Sequence, residues 1–223
     1  RVPFLHDITI EQDAPANYYD LPRRSLGNLE QLGMGGEMLR VRVTGTVLHG
    51  GLGRQVYIEE DGARLLLFTA MPHTLKPGDQ IEAVGILGRE GAHTVLRETV
   101  FRRTGEGPAP VPEKLTTLED LDLARDYRLV RAEGTLIDTF QNDKQTRLTL
   151  QQGKTIFEAR LDHTKSTKPP AFDLTAVLEV TGIYKVTFDE SRQARGFELL
   201  VRTPDDIVVV QPAKFWHIRM ALA

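Results

Sequence analysis

Between residues 39 and 48 apolar and polar side chains alternate, with Leu39, Val41, Val43, Gly45 and Val47 set against Arg40, Arg42, Thr44 and Thr46. A period of two is the pattern of a strand with one buried face. QVYIEE (55–60), a turn at Asp61-Gly62 and ARLLLFTA (63–70) read as a hairpin, because Asp-Gly accepts the positive φ of tight hairpin turns. Pro77-Gly78-Asp79 marks the next turn, and QIEAVGILG (80–88) and HTVLRETVF (93–101) complete a set of five strands. A second set is predicted at 129–140, 145–152, 155–162, 176–187 and 195–202. Either register of LLLF can be the buried one, which leaves Phe68 open between core and surface.

The two sets are related. VRVTGTVL (41–48) returns as VRAEGTLI (130–137), and IEAVGILG (81–88) returns as LEVTGIYK (178–185). The spacings of 89 and 97 residues describe a tandem duplication with a modest loop insertion, and two copies of this length exclude a solenoid. Five short strands with a longer link between the third and fourth suit an OB-fold, a small Greek-key barrel whose closure removes the unpaired edges of so small a sheet. The predicted fold is therefore all-β, with two tandem OB-fold-like five-stranded Greek-key barrels and a short connecting helix. Gly45, Gly85, Gly134 and Gly182 read as bends where strands curl into closure.

The expected organisation is an N-terminal lead-in over 1–37, a first barrel over 38–104, a Pro-rich linker and short helix over 105–127, a second barrel over 128–211 and an apolar tail over 212–223. A short helix is predicted near 25–32. In the connection, TGEGPAPVPEK (104–114) is extended by composition. Thr117 and Asp120 then form a weak capping box ahead of an apolar face of Leu118, Leu121 and Leu123. DHTKSTKPPAFD (162–173) is a polar loop.

Charge adds a constraint. Lys and Arg total 28 against 31 Asp and Glu, for a net charge of −3, without the basic stripe of a general nucleic-acid binder. Cysteine is absent, which removes thiolate metal sites and Cys nucleophiles. The six His (6, 49, 73, 93, 163, 217) show no metal-ligand spacing, and none of Ser25, Ser166 and Ser191 sits in a nucleophile elbow. Glu59-Glu60-Asp61, Asp189-Glu190 and Asp205-Asp206 read as solvated turn carboxylates. LGMGGE (32–37) lacks the strand and the Lys-Ser/Thr that phosphate cradling needs. No catalytic residue, metal or cofactor is expected.

Binding is the remaining chemistry. The face of strands two and three, with the loop joining strands one and two, is where OB-folds take ligands. Candidates in copy one are His49, Arg54, Tyr57, Arg64 and Phe68. Tyr57 could stack on a ring, and Arg64 could offer a planar fork to a carboxylate or phosphate. In copy two they are Phe140, Arg147 and Arg160. Acids interleaved with the arginines argue against nucleic acid as a partner. A soluble OB-fold protein binding single-stranded nucleic acid or oligosaccharide is the alternative function. After Pro212, the cluster Phe215, Trp216, Ile218 and Met220 beside Lys214 and Arg219 reads as juxtamembrane, or equally as a strand extension packed on the second barrel.

The succession VRVTGTV, VYIEEDGARLLLF, LKPGDQIEAVGI, a Pro-rich linker, LEDL and VRAEGTL, ending in RTPDDIVVVQPAKFWHIR (202–219), resembles the tandem OB-like extracytoplasmic sensor regions of bacterial membrane-bound signalling proteins. Those regions precede sensor histidine kinases or diguanylate cyclases. The likeness covers residues 38–219 and leaves the lead-in unplaced. It implies a non-catalytic sensory domain of a two-component or related signal-transduction protein, on the periplasmic or extracytoplasmic side of a bacterial inner membrane. Its partners would be a small molecule, a glycan or a protein, with the membrane reached through segments outside this chain and a homodimer left open. In that reading a ligand shifts the relative orientation of the barrels, and the tail, with Phe215 and Trp216 nearest the membrane, passes the change on. The start at Arg1 would then mark a processed product.

Overall fold

The computed structural model describes residues 17–32, 39–51, 53–91, 93–118, 121–191 and 193–213. The expected juxtamembrane residues Phe215 and Trp216, the glycine-rich 33–37 and most of the lead-in lie outside these. Among the described residues no helix is long and apolar enough to cross a membrane. The strands are β1 (Arg40–Gly50), β2 (Gln55–Glu60), β3 (Ala63–Phe68), β4 (Asp79–Glu90), β5 (His93–Glu106), β6 (Glu113–Leu115), β7 (Leu129–Gln141), β8 (Gln145–Gln152), β9 (Thr155–Asp162), β10 (Val177–Phe188), β11 (Ala194–Val201) and β12 (Ile207–Gln211).

The first barrel closes in the order β1-β2-β3-β5-β4. Closure rests on β1, whose first half (Arg40–Thr46) pairs with β4 and whose second half (Thr46–Gly50) pairs with β2. The second barrel repeats the ring as β7-β8-β9-β11-β10, closed by β10 on β7. In each ring one pairing is parallel, β3 with β5 and β9 with β11. The chain is all-β and OB-like.

The duplication holds at the level of single residues. The register shift between Val47 and His49 in β1 recurs between Leu136 and Asp138 in β7. An ion pair from the first strand to the fourth recurs as well, Arg42–Glu82 at 2.9 Å and Arg131–Glu179 at 3.6 Å. The repeat also extends upstream of the sequence match. β6 lies parallel to β7, with Lys114 opposite Arg131, and in the first copy a lone parallel bridge joins Arg23 to the equivalent Arg42. Gly182 shows what closure demands, since a Cβ there would stand 2.7 Å from the Leu200 carbonyl oxygen. At the equivalent Gly85 it would stand 2.9 Å from the Arg97 carbonyl oxygen. Backbone approaches that close leave no room for a side chain.

Two helical expectations are modified. Near 25–32 a 3₁₀ turn (Leu26–Asn28) runs into α1 (Leu29–Leu32), and Leu26 and Leu29 plug the first barrel's core. Asp120 of the expected capping box lies outside the described residues, and among those described the connecting segment has a 3₁₀ turn at Leu123–Arg125, where the Asp122 carboxylate accepts from the Ala124 amide at 2.9 Å. Leu118 and Leu121 pack against the second core while Leu123 points to solvent. Leu123 therefore does not share the buried side of the other two leucines.

A third apolar cluster joins the barrels. Leu48, Tyr57, Leu66 and Val95 of the first pack against Tyr127, Leu129, Ile183 and Leu200 of the second. The Tyr57 and Tyr127 rings meet edge to face with centroids 5.3 Å apart. At its margin the His93 ring nitrogen Nε2 lies 2.7 Å from the buried Asp126 carboxylate, whose other oxygen accepts from the Val186 amide at 2.9 Å. The linker is not the whole connection: side chains of both barrels form a common core.

Candidate functional site

The two copies dispose of their ligand faces in opposite ways. In β2 the consecutive Val56, Tyr57 and Ile58 are all buried, and so are Leu65, Leu66 and Leu67 in β3. Val56, Ile58, Leu65 and Leu67 fill the first barrel, while Tyr57 and Leu66 point outward into the junction. Runs that are apolar on both faces mark strands covered on both sides. In β8 and β9 the pattern is strictly alternating: Leu148, Leu150, Phe157, Ala159 and Leu161 turn inward, and Arg147, Thr149, Ile156, Glu158 and Arg160 turn outward. The second barrel's face is the open one.

This corrects the expected exposed platform around Tyr57. That side chain is 1% exposed and sits against Tyr127, because the second barrel covers it. Arg64 and Phe68 do share its face, since Arg64, Leu66 and Phe68 stand opposite Glu59, Tyr57 and Gln55. They end up apart. Arg64 reaches the Ala124 carbonyl at 3.4 Å, beside His93 and Asp126. Phe68 lies at the other end of the junction, with the Arg97 guanidinium 5.0 Å above its ring.

On the open face, residues paired directly across strands form one row. Phe140 of β7 stands opposite Arg147 of β8, Arg147 opposite Arg160 of β9, and Arg160 opposite Leu200 of β11. Phe140 is 53% exposed and Leu200 is buried in the junction, so the row leads from solvent to the meeting line of the barrels. A second row, Asp138, Thr149, Glu158 and Glu198, runs beside it. Its carboxylates brace the arginines, with Arg147–Glu158 at 3.7 Å and Arg160–Glu198 at 3.3 Å. The Arg147–Glu158 pair is open to solvent on both sides and contributes little to stability.

Where the row meets the first barrel a cleft of about 350 Å³ opens. Five of the eight residues singled out in the sequence line it: His49, Arg54, Tyr57, Phe68 and Arg160. Phe140 and Arg147 occupy the approach and Arg64 lies elsewhere. Gly51, Gly53, Gln55, Asp162, Leu200 and Val201 complete the wall. Of these Asp162 was legible, as the next outward position after Arg160. Burial, reinforced by the Arg202 charge, pushes the His49 imidazole down to about 4, so it is neutral near pH 7 and offers one donor and one acceptor. Burial, with Tyr127 beside it, also raises the Tyr57 phenol far above its ordinary range. Its hydroxyl is buried and has no hydrogen-bond partner among the described residues.

The other sequence features have structural uses. The Glu60 carboxylate accepts from the Leu26 amide at 3.0 Å and from the Thr44 hydroxyl at 2.9 Å and pairs with Arg23, which ties the lead-in to the first barrel. Asp206 caps the turn before β12 and pairs with Arg202 at 2.5 Å. His163 lies 2.9 Å from the Thr146 hydroxyl inside the second barrel. Among the described residues no group of three or more His, Asp or Glu is placed to hold a metal ion.

No protein-family model matches the chain, and no curated protein matches it. Among solved structures it is similar to an aspartyl-tRNA synthetase from Entamoeba histolytica, at 19% identity and a TM-score of 0.36, over 45% of this chain and 22% of that one. This chain thus spans about a fifth of the synthetase's length. It is similar to a murine DNA-binding protein solved with double-stranded DNA, at 11% identity and a TM-score of 0.36, over 78% of this chain and 97% of that one. A third is fission yeast Pot1 with single-stranded DNA, at 10% identity and a TM-score of 0.33, over 81% and 86%. The expectation that nucleic acid is an unlikely partner is the one these findings run against, since structures bound to double- and single-stranded DNA stand among those similar to this chain.

Proposed function

We propose that this chain is a non-catalytic binding module that lays a single-stranded nucleic acid across the outer face of its second barrel, from Phe140 towards the inter-barrel cleft. The row Phe140–Arg147–Arg160 carries this reading. It places a solvent-facing aromatic ring beside two guanidinium groups on adjacent strands, in a line that leads to a cleft lined by a third arginine, Arg54. Single strands are held by base stacking on such rings together with cations that follow the phosphates. The neighbouring carboxylates keep the affinity modest, and they can accept from base amino groups.

Two to three arginine–phosphate contacts imply a measurable salt dependence. For a single strand the logarithm of affinity falls with that of salt at a slope of roughly −0.7 per phosphate contacted, about −1.4 to −2 here. Fluorescence anisotropy with a labelled oligonucleotide of mixed sequence is therefore expected to show affinity dropping roughly sevenfold to twentyfold between 50 and 200 mM salt. Phe140→Ala should cost about a further tenfold at fixed salt. An anisotropy that does not change at 50 mM salt, or binding indifferent to salt, would overturn the reading.

A further inference from the structure

We propose that the inter-barrel cleft is a guanine-selective base pocket, read by the neighbouring Arg160 guanidinium and Asp162 carboxylate. The inference deepens the nucleic-acid reading and rests on it for a bound strand, although a mononucleotide can test the pocket alone. Its volume of about 350 Å³ admits a base with its sugar. Phe68, Leu200 and Val201 supply apolar wall against which a flat ring can lie.

The polar groups decide which ring. Arg160 and Asp162 occupy successive outward positions of β9, with Nε and Oδ1 3.9 Å apart, so a forked donor stands directly beside a forked acceptor. Guanine presents the complement of both. O6 and N7 accept two bonds from a guanidinium, and N1–H and the exocyclic amine donate two to a carboxylate. Adenine and thymine can meet the same pair only through single bonds to each partner, and cytosine, whose N3 and O2 both accept, has only its amine to give the carboxylate. Further partners converge on the space. The Tyr57 hydroxyl on the cleft wall is buried and unpartnered, a cost that a ligand atom within reach removes. Gln55 adds an amide with both a donor and an acceptor end. On the rim the exposed Arg54 side chain makes no ion pair with another described residue, which leaves it available to a phosphate.

Calorimetric titration of the 223-residue chain with GMP, IMP and AMP tests this. GMP is expected to bind about tenfold or more tightly than AMP. IMP, which keeps O6, N7 and N1–H and lacks the amine, should fall between them. Asp162 is half exposed, so Asp162→Asn should leave the fold intact and erase the preference. Tyr57→Phe keeps the ring that packs at the junction, and should weaken GMP several-fold without lowering thermal stability. The proposal is overturned if GMP and AMP bind within twofold of each other, if neither binds at millimolar concentration, or if Asp162→Asn retains the preference. An oligonucleotide bound without regard to guanine would sink the pocket alone, whereas GMP binding by a chain that ignores oligonucleotides would sink the strand reading alone.

Discussion

Replacing Tyr127 by alanine is expected to lower stability by about 3 kcal/mol and to split one unfolding transition into two. The ring is buried between Tyr57 and His93, with centroid distances of 5.3 and 4.6 Å, and belongs to the only described core cluster with members from both barrels. Its loss leaves a cavity where little else can collapse, since Tyr57, Leu66, Leu129 and Ile183 are held by their own strands. Each barrel keeps its interior, so the two should then melt separately. A second substitution separates ring from backbone. Tyr127 has φ of +67°, a left-handed conformation that disfavours any side chain. Tyr127→Gly deletes the same ring while relieving that strain, and should be about 1 kcal/mol less damaging than Tyr127→Ala. Differential scanning calorimetry reads both effects. A Tyr127→Ala protein that melts in one step, within about 1 kcal/mol of the parent, would show that the barrels do not share a core.

The second large effect is an acid limb set by His49. Its folded value of about 4 lies below the 6.5 of an unfolded imidazole, because burial penalises the charged ring and Arg202 repels it, while Asp162 and Asp206 offset part of this and Arg160 adds a smaller repulsion. The unfolded chain therefore binds the proton first as pH falls. Stability from this residue is complete above 6.5 and drains away between 6.5 and 4. One pKa unit corresponds to about 1.4 kcal/mol, so the loss across that window is about 2–3 kcal/mol after allowing for partial exposure of the ring. Chemical denaturation at pH 7 and at pH 4 should show the parent losing that much more than a His49→Gln variant, whose amide does not titrate. Equal losses in the two proteins would mean that the ring is solvated.

The strands were legible because their signals are local. Alternation fixed the faces, Asp61-Gly62 and Pro77-Gly78 fixed the turns, and the predicted spans 55–60, 145–152 and 155–162 coincide with β2, β8 and β9. The duplication was legible for the same reason, down to the glycines at Gly85 and Gly182, where closure admits no Cβ. What could not be read was which barrel hides its ligand face. VYI and LLL carry that information as runs apolar on both sides, yet in a sequence such runs match a buried strand in any surroundings, and only the second barrel's position explains them. The site was half legible for a related reason. In the sequence His49, Arg54, Tyr57 and Phe68 belong to one barrel's face and Arg160 to the other's, and they line one cleft because the barrels pack together there. Asp162 is an outward position of the same alternating strand, and nothing in the sequence sets it apart from the other charges there.

Hydrogen–deuterium exchange with and without a saturating single-stranded oligonucleotide is the most direct test of which surface binds. Bound strand should slow exchange across 138–149 and 156–162, at the mouth of the cleft around 53–57, and leave β4 and the far half of β5 untouched. Protection confined to the first barrel's β4–β5 surface, or no protection at any peptide, would contradict a ligand face on the second barrel.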